Sequence, residues 1–210
     1  MPFKEQPLKV VVLNGSLKHK PDVSNTEDLA MQVVDNMKAH TRIEADVFRL
    51  ADMNIPVGLG YRESEDDEWP AIVEKIKAAD VVIFATPIWW SSRSSLMQRV
   101  IERLDGLDEE YLATGRSALY NKVAGIVITG HEDGALATMA HLMAALTWFN
   151  FTLPPECGAY WVGEVGEATR GSDAERRRAN PATRNMTKNL ARNLVYYAQL
   201  LKRYPVVPKK

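Results

Sequence analysis

Nearly unbroken apolar runs alternate along this chain with segments of helical period. KVVVLN from Lys9, DVVIFAT from Asp80 and KVAGIVIT from Lys122 are almost continuously apolar, as strands covered on both faces require. EADVFRL from Glu44 and a weaker GAYWVG from Gly158 complete five predicted strands. Between them the period becomes helical, over residues 25 to about 40, 69–78, 95 to about 104, 135 to about 149, and 181 to about 203. This alternation predicts an α/β fold of right-handed βαβ units on a parallel sheet. In the last helix Met186, Leu190, Leu194 and Leu201 fall on or near one face, with Arg184, Lys188 and Arg192 largely opposite, the pattern of a helix that closes a core.

Three stretches interrupt the pattern. Residues 56–67, 105–121 and 164–180 are polar, contain glycine and are long for plain connections, so they read as lids, partner surfaces or mobile loops. The acidic ESEDDE from Glu63 reads as a solvated loop.

Composition narrows the function classes. A chain of 210 residues is long enough for one well-filled domain, residues 1–210. Its net charge of -1 argues against broad attraction to nucleic acid or an anionic membrane. The single cysteine, Cys157, rules out an internal disulfide and a cysteine-rich metal cluster within one chain, which fits a reducing compartment. No run of about 18 uncharged apolar residues and no signal-like start are present. The expectation is a cytoplasmic protein.

A parallel sheet delivers the C-terminal ends of its strands to one edge, where ligands bind at the reversal of strand order. Three loops there carry the candidate chemistry. NGSLKHKPDVSNT follows the first strand and offers Gly15, the hydroxyls of Ser16, Ser24 and Thr26, and the free N–H groups of a helix start. Such a loop can cradle a phosphate monoester without a large basic cluster; the competing reading makes Ser24 or Asn25 a plain helix cap. Neither a Walker loop nor a G-x-G-x-x-G follows the strand, which argues against a P-loop NTPase and a dinucleotide-binding Rossmann domain. TPIWWSSRSS follows the third strand; adjacent tryptophans diverge, so at least one faces the edge and can wall a planar aromatic ligand, or else pack in a subunit interface. TGHEDGA follows the fourth strand, with Gly130 and Gly134 allowing close backbone approach and Asp133 as a helix cap. His131, a lone histidine in this loop, reads as polar lining rather than as a general base.

These three motifs, in this order, resemble the flavodoxin-like NAD(P)H-dependent FMN reductase superfamily over most of the chain. The resemblance implies a three-layer sandwich with a five-stranded parallel sheet of order 2-1-3-4-5, and FMN at the switch point between strands one and three. It implies that Ser16, Lys18, Ser24, Asn25 and Thr26 hold the FMN phosphate. Pro87, Ile88, Trp89, Trp90 and Ser91 would run along the ribityl chain and flavin ring, with Thr129, Gly130, Asp133 and Gly134 on the other side. The implied activity is an oxidoreductase that takes hydride from NADPH or NADH and passes electrons to a quinone, flavin or other electrophilic aromatic acceptor. No side chain is implied as a nucleophile and no metal is expected. A flavodoxin-type electron carrier, or a non-catalytic FMN-binding protein, is the alternative; the near-neutral charge disfavours the carrier. A homodimer or homotetramer is expected. Arg62, Arg93 and Arg170 are loop candidates for a nicotinamide 2′-phosphate, with surface arginines as the competing reading.

Overall fold

The computed structural model describes residues 6–163 and 172–207. Its strands are β1 (Leu8–Asn14), β2 (Ile43–Arg49), β3 (Val81–Trp89), β4 (Ser92–Arg93), β5 (Val123–Gly130) and β6 (Gly158–Val162). Five of them form a parallel sheet in the order β2-β1-β3-β5-β6, the order expected; β4 is an addition, a two-residue strand antiparallel to the end of β3. The helices are α1 (Asn25–Lys38), α2 (Trp69–Ala78), α3 (Ser95–Leu104), α4 (Asp108–Thr114), α5 (Ala135–Trp148), α6 (Ser172–Ala179) and α7 (Pro181–Arg203).

Period-two alternation sorts the strand side chains into two cores. Val10 and Val12 of β1 with Val81 and Ile83 of β3 pack against α1 and α7, where Leu190 and Leu194 are buried as the helical spacing predicts. Val11 and Leu13 with Val82 and Phe84 pack on the other face against α2, α3 and α5. The outer strand β2 is largely exposed and carries Glu44 and Asp46, charges that blunt an open sheet edge.

Two of the stretches read as loops contain helices. α4 lies within residues 105–121 and α6 within 164–180, while Arg170 and the rest of 164–171 fall outside the described residues. α4 buries no residue, and α6 is polar along its length and docks through charge instead. Arg177 of α6 is fully buried and pairs with Asp28 of α1 at 2.5 Å, and its guanidinium lies 5.9 Å from the Trp161 ring. Burial pushes the Asp28 carboxyl up, and hydrogen bonds from Arg178 and Arg177 more than reverse this, leaving it below the ordinary carboxylate value.

The acidic loop is also not simply solvated. Asp67, within ESEDDE and its flank, has a side chain at 0% exposure, paired at 2.6 Å with an equally buried Arg103 on α3. Arg103 also donates to the carbonyls of Pro56, Gly60 and Tyr61, so one guanidinium folds the 56–67 stretch onto α3. Trp69 is buried with its ring 5.7 Å from that guanidinium. Burial pushes the Asp67 carboxyl up; the Arg103 hydrogen bond, backbone N–H donation from Glu63 and Trp69, and the Arg103 charge together bring it below its usual value. A carboxyl lowered in the folded state contributes stability above the unfolded pKa, and that contribution is lost as pH falls through the folded pKa. Asp67→Asn should therefore cost about 3–5 kcal/mol at pH 7, since it leaves a buried guanidinium uncompensated. Chemical denaturation at pH 7 and near pH 3 checks this: the gap between variant and parent should be wide at the first and smaller at the second.

Candidate functional site

Asn14, Trp89 and Gly130 end β1, β3 and β5 at the same sheet edge. These strand ends, the loops after them and the start of α1 enclose a cleft of about 400 Å³, lined by Ser16 and Lys18 of the first loop, Asn25 and Thr26 of α1, Pro87, Ile88 and Trp89 at the end of β3 with Trp90 after it, and Thr129 and Gly130 at the end of β5 with His131 and Glu132 after it, with Trp161 of β6 beside them.

The β1–α1 loop is shaped by polar bonds to its own neighbourhood. Buried Asn14 accepts from the Ser16 N–H at 3.0 Å and donates to Glu27 Oε2 at 2.8 Å. Gly15 is bonded across to β3 and α3, its N–H to the Ala85 carbonyl at 2.7 Å and its carbonyl accepting from Ser94 Oγ at 2.6 Å. Ser24 is the α1 N-cap and accepts from the Glu27 N–H at 3.1 Å. Lys18 reaches back along the loop, donating to the Val23 carbonyl at 3.3 Å. Thr26 meets Thr129 of β5 through a buried hydroxyl pair at 2.7 Å, which joins the first and third loops across the cleft floor.

The tryptophan turn is held in an unfavourable backbone conformation. Trp89 pairs with Ser92, so Trp90 and Ser91 alone close the β3–β4 hairpin, with φ of +49° and +60°. Two left-handed residues suit a tight hairpin, but glycine or asparagine normally supplies them, and a bulky residue there is an outlier. Three groups of the β5–α5 segment clamp the turn. Glu132 Oε1 accepts from the Trp90 N–H at 2.7 Å, Thr138 Oγ1 donates to the Ser91 carbonyl at 3.3 Å, and Gly134, at φ +122°, lies so close that a Cβ there would stand 2.6 Å from Ser91 Cα. Trp89 is 50% and Trp90 87% exposed, so both indoles face outward along the cleft.

The sequence-predicted residues divide accordingly. Ser24, Ser91, Asp133 and Gly134 do not line the cleft; Ser24 caps α1, and Ser91 and Gly134 meet each other. Asp133 is exposed, and the α5 cap position belongs to Gly134 rather than to Asp133. Gly130 lines the cleft but is small because Ile88 presses on it, leaving 2.8 Å between its Cδ1 and a would-be Cβ. Gly130 and Gly134 thus admit the end of β3 and the turn after it. Arg62 and Arg93 are not among the lining residues; Arg62 donates to the Glu65 carbonyl and Arg93 to Gln98. Glu132 and Trp161 are lining residues that sequence reasoning missed. Trp161 shares the core-facing side of the last strand with Ala159, and its position near that strand's C-terminal end was the available signal. His131 lines the cleft, as read, and meets Trp161 edge-on at 6.0 Å. Among the described residues no group of three or more His, Cys, Asp and Glu is placed to hold a metal ion.

The family model described as NADPH-dependent FMN reductase matches residues 8–165. The chain belongs to that family. It is 33% identical over 168 residues to 8-demethyl-8-aminoriboflavin-5′-phosphate synthase of Streptomyces davaonensis, a match covering 76% of this chain and 65% of that protein. It is 31% identical over 200 residues to the divalent metal cation transporter MntH of Mycobacterium bovis, covering 93% of this chain and 29% of that one. The chain thus spans less than two thirds of the length of either relative. Among described residues, no helix is long and apolar enough to cross a membrane. In three dimensions this FMN reductase family member is similar to RosB solved with the bound intermediate 8-demethyl-8-formylriboflavin-5′-phosphate, with a TM-score of 0.82 and 30% identity over 95% of this chain and 82% of that one.

The clamp on the tryptophan turn makes a test of its own. Gly134→Ala adds a Cβ against Ser91 on a left-handed backbone, and should cost about 1–3 kcal/mol. Thermal unfolding reads the loss, and a changed intrinsic tryptophan emission from the folded variant reads displacement of Trp89 and Trp90.

Proposed function

We propose that this chain is an FMN-dependent oxidoreductase that takes reducing equivalents from NADPH or NADH and delivers them to a small electrophilic aromatic such as a quinone or flavin. The observation that carries this reading is one cleft joining an anion-ready helix start to a wall of two outward tryptophans, in a chain of the FMN reductase family. The residues fit the cofactor. Ser16, Lys18, Asn25 and Thr26, with Ser24 fixing the helix cap, would hold its phosphate, where the first-turn N–H groups and the helix dipole favour an anion. Pro87, Ile88, Trp89 and Trp90 would flank the ribityl chain and ring, with Ser91 securing their turn. Thr129 and Gly130 would border the opposite side, with Asp133 and Gly134 behind. Bound FMN supplies the electron transfer between nicotinamide and acceptor, so the protein's part is binding, orientation and exclusion of water. No side chain is assigned as a catalytic residue. His131, set against Trp161, serves as polar lining.

We read residues 1–210 as one flavodoxin-like domain working in the cytoplasm as a homodimer or homotetramer. α5 supports the association: it contains no Asp, Glu, Lys or Arg, buries Ala135, Thr138, Leu142 and Leu146, and leaves Leu136, Met143 and Trp148 exposed. An apolar outer face on a helix is suited to burial against another subunit. Light scattering at micromolar concentration should give at least twice the chain mass, and a monomer overturns that part of the reading.

A second reading has a specific observation behind it. The name of one relative and the molecule bound in the similar RosB structure both concern flavin phosphates altered at position 8, so the flavin could be a substrate rather than a resident cofactor. One experiment separates the two. Protein purified with FMN is examined by absorbance and given NADPH and NADH anaerobically; a second sample is incubated in air with an amino-group donor, and the flavin of both is released and weighed by mass spectrometry. Bleaching with unchanged flavin mass is the expected outcome; flavin of altered mass supports the second reading, and failure to take up FMN overturns both.

A further inference from the structure

We infer that Arg49 and Glu27 form a charge-cancelling strut that sets the affinity of the β1–α1 loop for a phosphate monoester. The inference rests on the reading of that loop as the phosphate end of the cleft. Glu27 stands in the first turn of α1, directly after the lining residues Asn25 and Thr26. A carboxylate there is attracted by the same helix terminus that an anionic ligand would use. Left free, it would compete with that ligand and repel it.

Three donors converge on one of its oxygens. Arg49, the last residue of β2, donates to Glu27 Oε2 from Nε at 3.0 Å and stands at 2.9 Å through Nη2, and Asn14 Nδ2 donates to the same oxygen at 2.8 Å. The Arg49 side chain is only 8% exposed, so its charge is little screened by water and the pair is a strong, charge-assisted one. Its third nitrogen, Nη1, donates to the Asp22 carbonyl at 2.8 Å, on the far limb of the loop. Asn14, through its oxygen, fixes the Ser16 N–H at 3.0 Å. One network therefore neutralises the carboxylate beside the helix start and holds both limbs of the loop. Arg49 and Glu27 are positioning residues: neither lines the cleft.

A purely structural strut would affect every cleft ligand alike, whereas this one acts on the phosphate. The test compares binding of FMN with binding of riboflavin, which lacks the phosphate, by quenching of flavin fluorescence. Arg49→Met should weaken FMN about tenfold, the size of one charge-assisted contact, while riboflavin changes less than about twofold. Glu27→Gln keeps the side-chain shape and leaves Arg49 uncancelled, so it should tighten FMN by about threefold with riboflavin unmoved; it also serves if Arg49→Met does not fold. The double variant should return the FMN preference toward that of the parent. Equal loss of both ligands in Arg49→Met, or an unmoved FMN-to-riboflavin ratio in Glu27→Gln, overturns the inference while leaving the phosphate reading intact. A parent protein that binds riboflavin as tightly as FMN overturns the phosphate reading, and the strut's role with it.

Discussion

The parallel pairing of β1 with β3, with Asn14 opposite Ala85, is the constraint from which the candidate site follows. The chain leaves β1 toward α1 on one face of the sheet and leaves β3 toward α3 on the other. Two loops that depart in opposite directions from neighbouring strand ends cannot cover the gap between them, and a crevice remains. Everything near it is arranged around that gap. Gly15 and Ser94 bind the two loops together at their base, Thr26 and Thr129 bridge to the third, and the tryptophan turn stands over the opening.

The cleft is braced by contacts made behind it. Asn14, Glu27 and Arg49 brace the first loop from the β2 side, Glu132, Gly134 and Thr138 brace the second, and Arg177 backs Trp161 from α6. Few of these groups touch the cleft, yet each restricts a group that does. Farther off, Arg103 and Asp67 hold the 56–67 stretch to α3 by the same device, a buried guanidinium shared between a carboxylate and several carbonyls.

What the sequence could show followed from how local each signal is. The five sheet strands and the large helices were legible because apolar period reports which faces are buried, and β1, β3 and β5 are buried on both. α4 and α6 were not, since α4 buries nothing and α6 docks by an arginine that no hydrophobic pattern marks. Asp67 looked solvated because its partner, Arg103, is 36 positions away, and only folding brings a counter-charge to it. In the site, the loops were legible from their place after strands and their residue types. The division of labour within them was not: Ser24 caps the helix that follows its own loop, Ser91 and Gly134 meet each other rather than the cleft, and Glu132 and Trp161 reach it through hairpin and strand geometry.

If Trp90 walls the ligand as proposed, its left-handed backbone sets fold and function against each other at a single position. Glycine or asparagine would sit at φ +49° with less strain than tryptophan, but neither would stand as an aromatic wall. Drift under selection for stability alone would therefore erase the indole, and a thermostability screen that ignores binding would favour its loss.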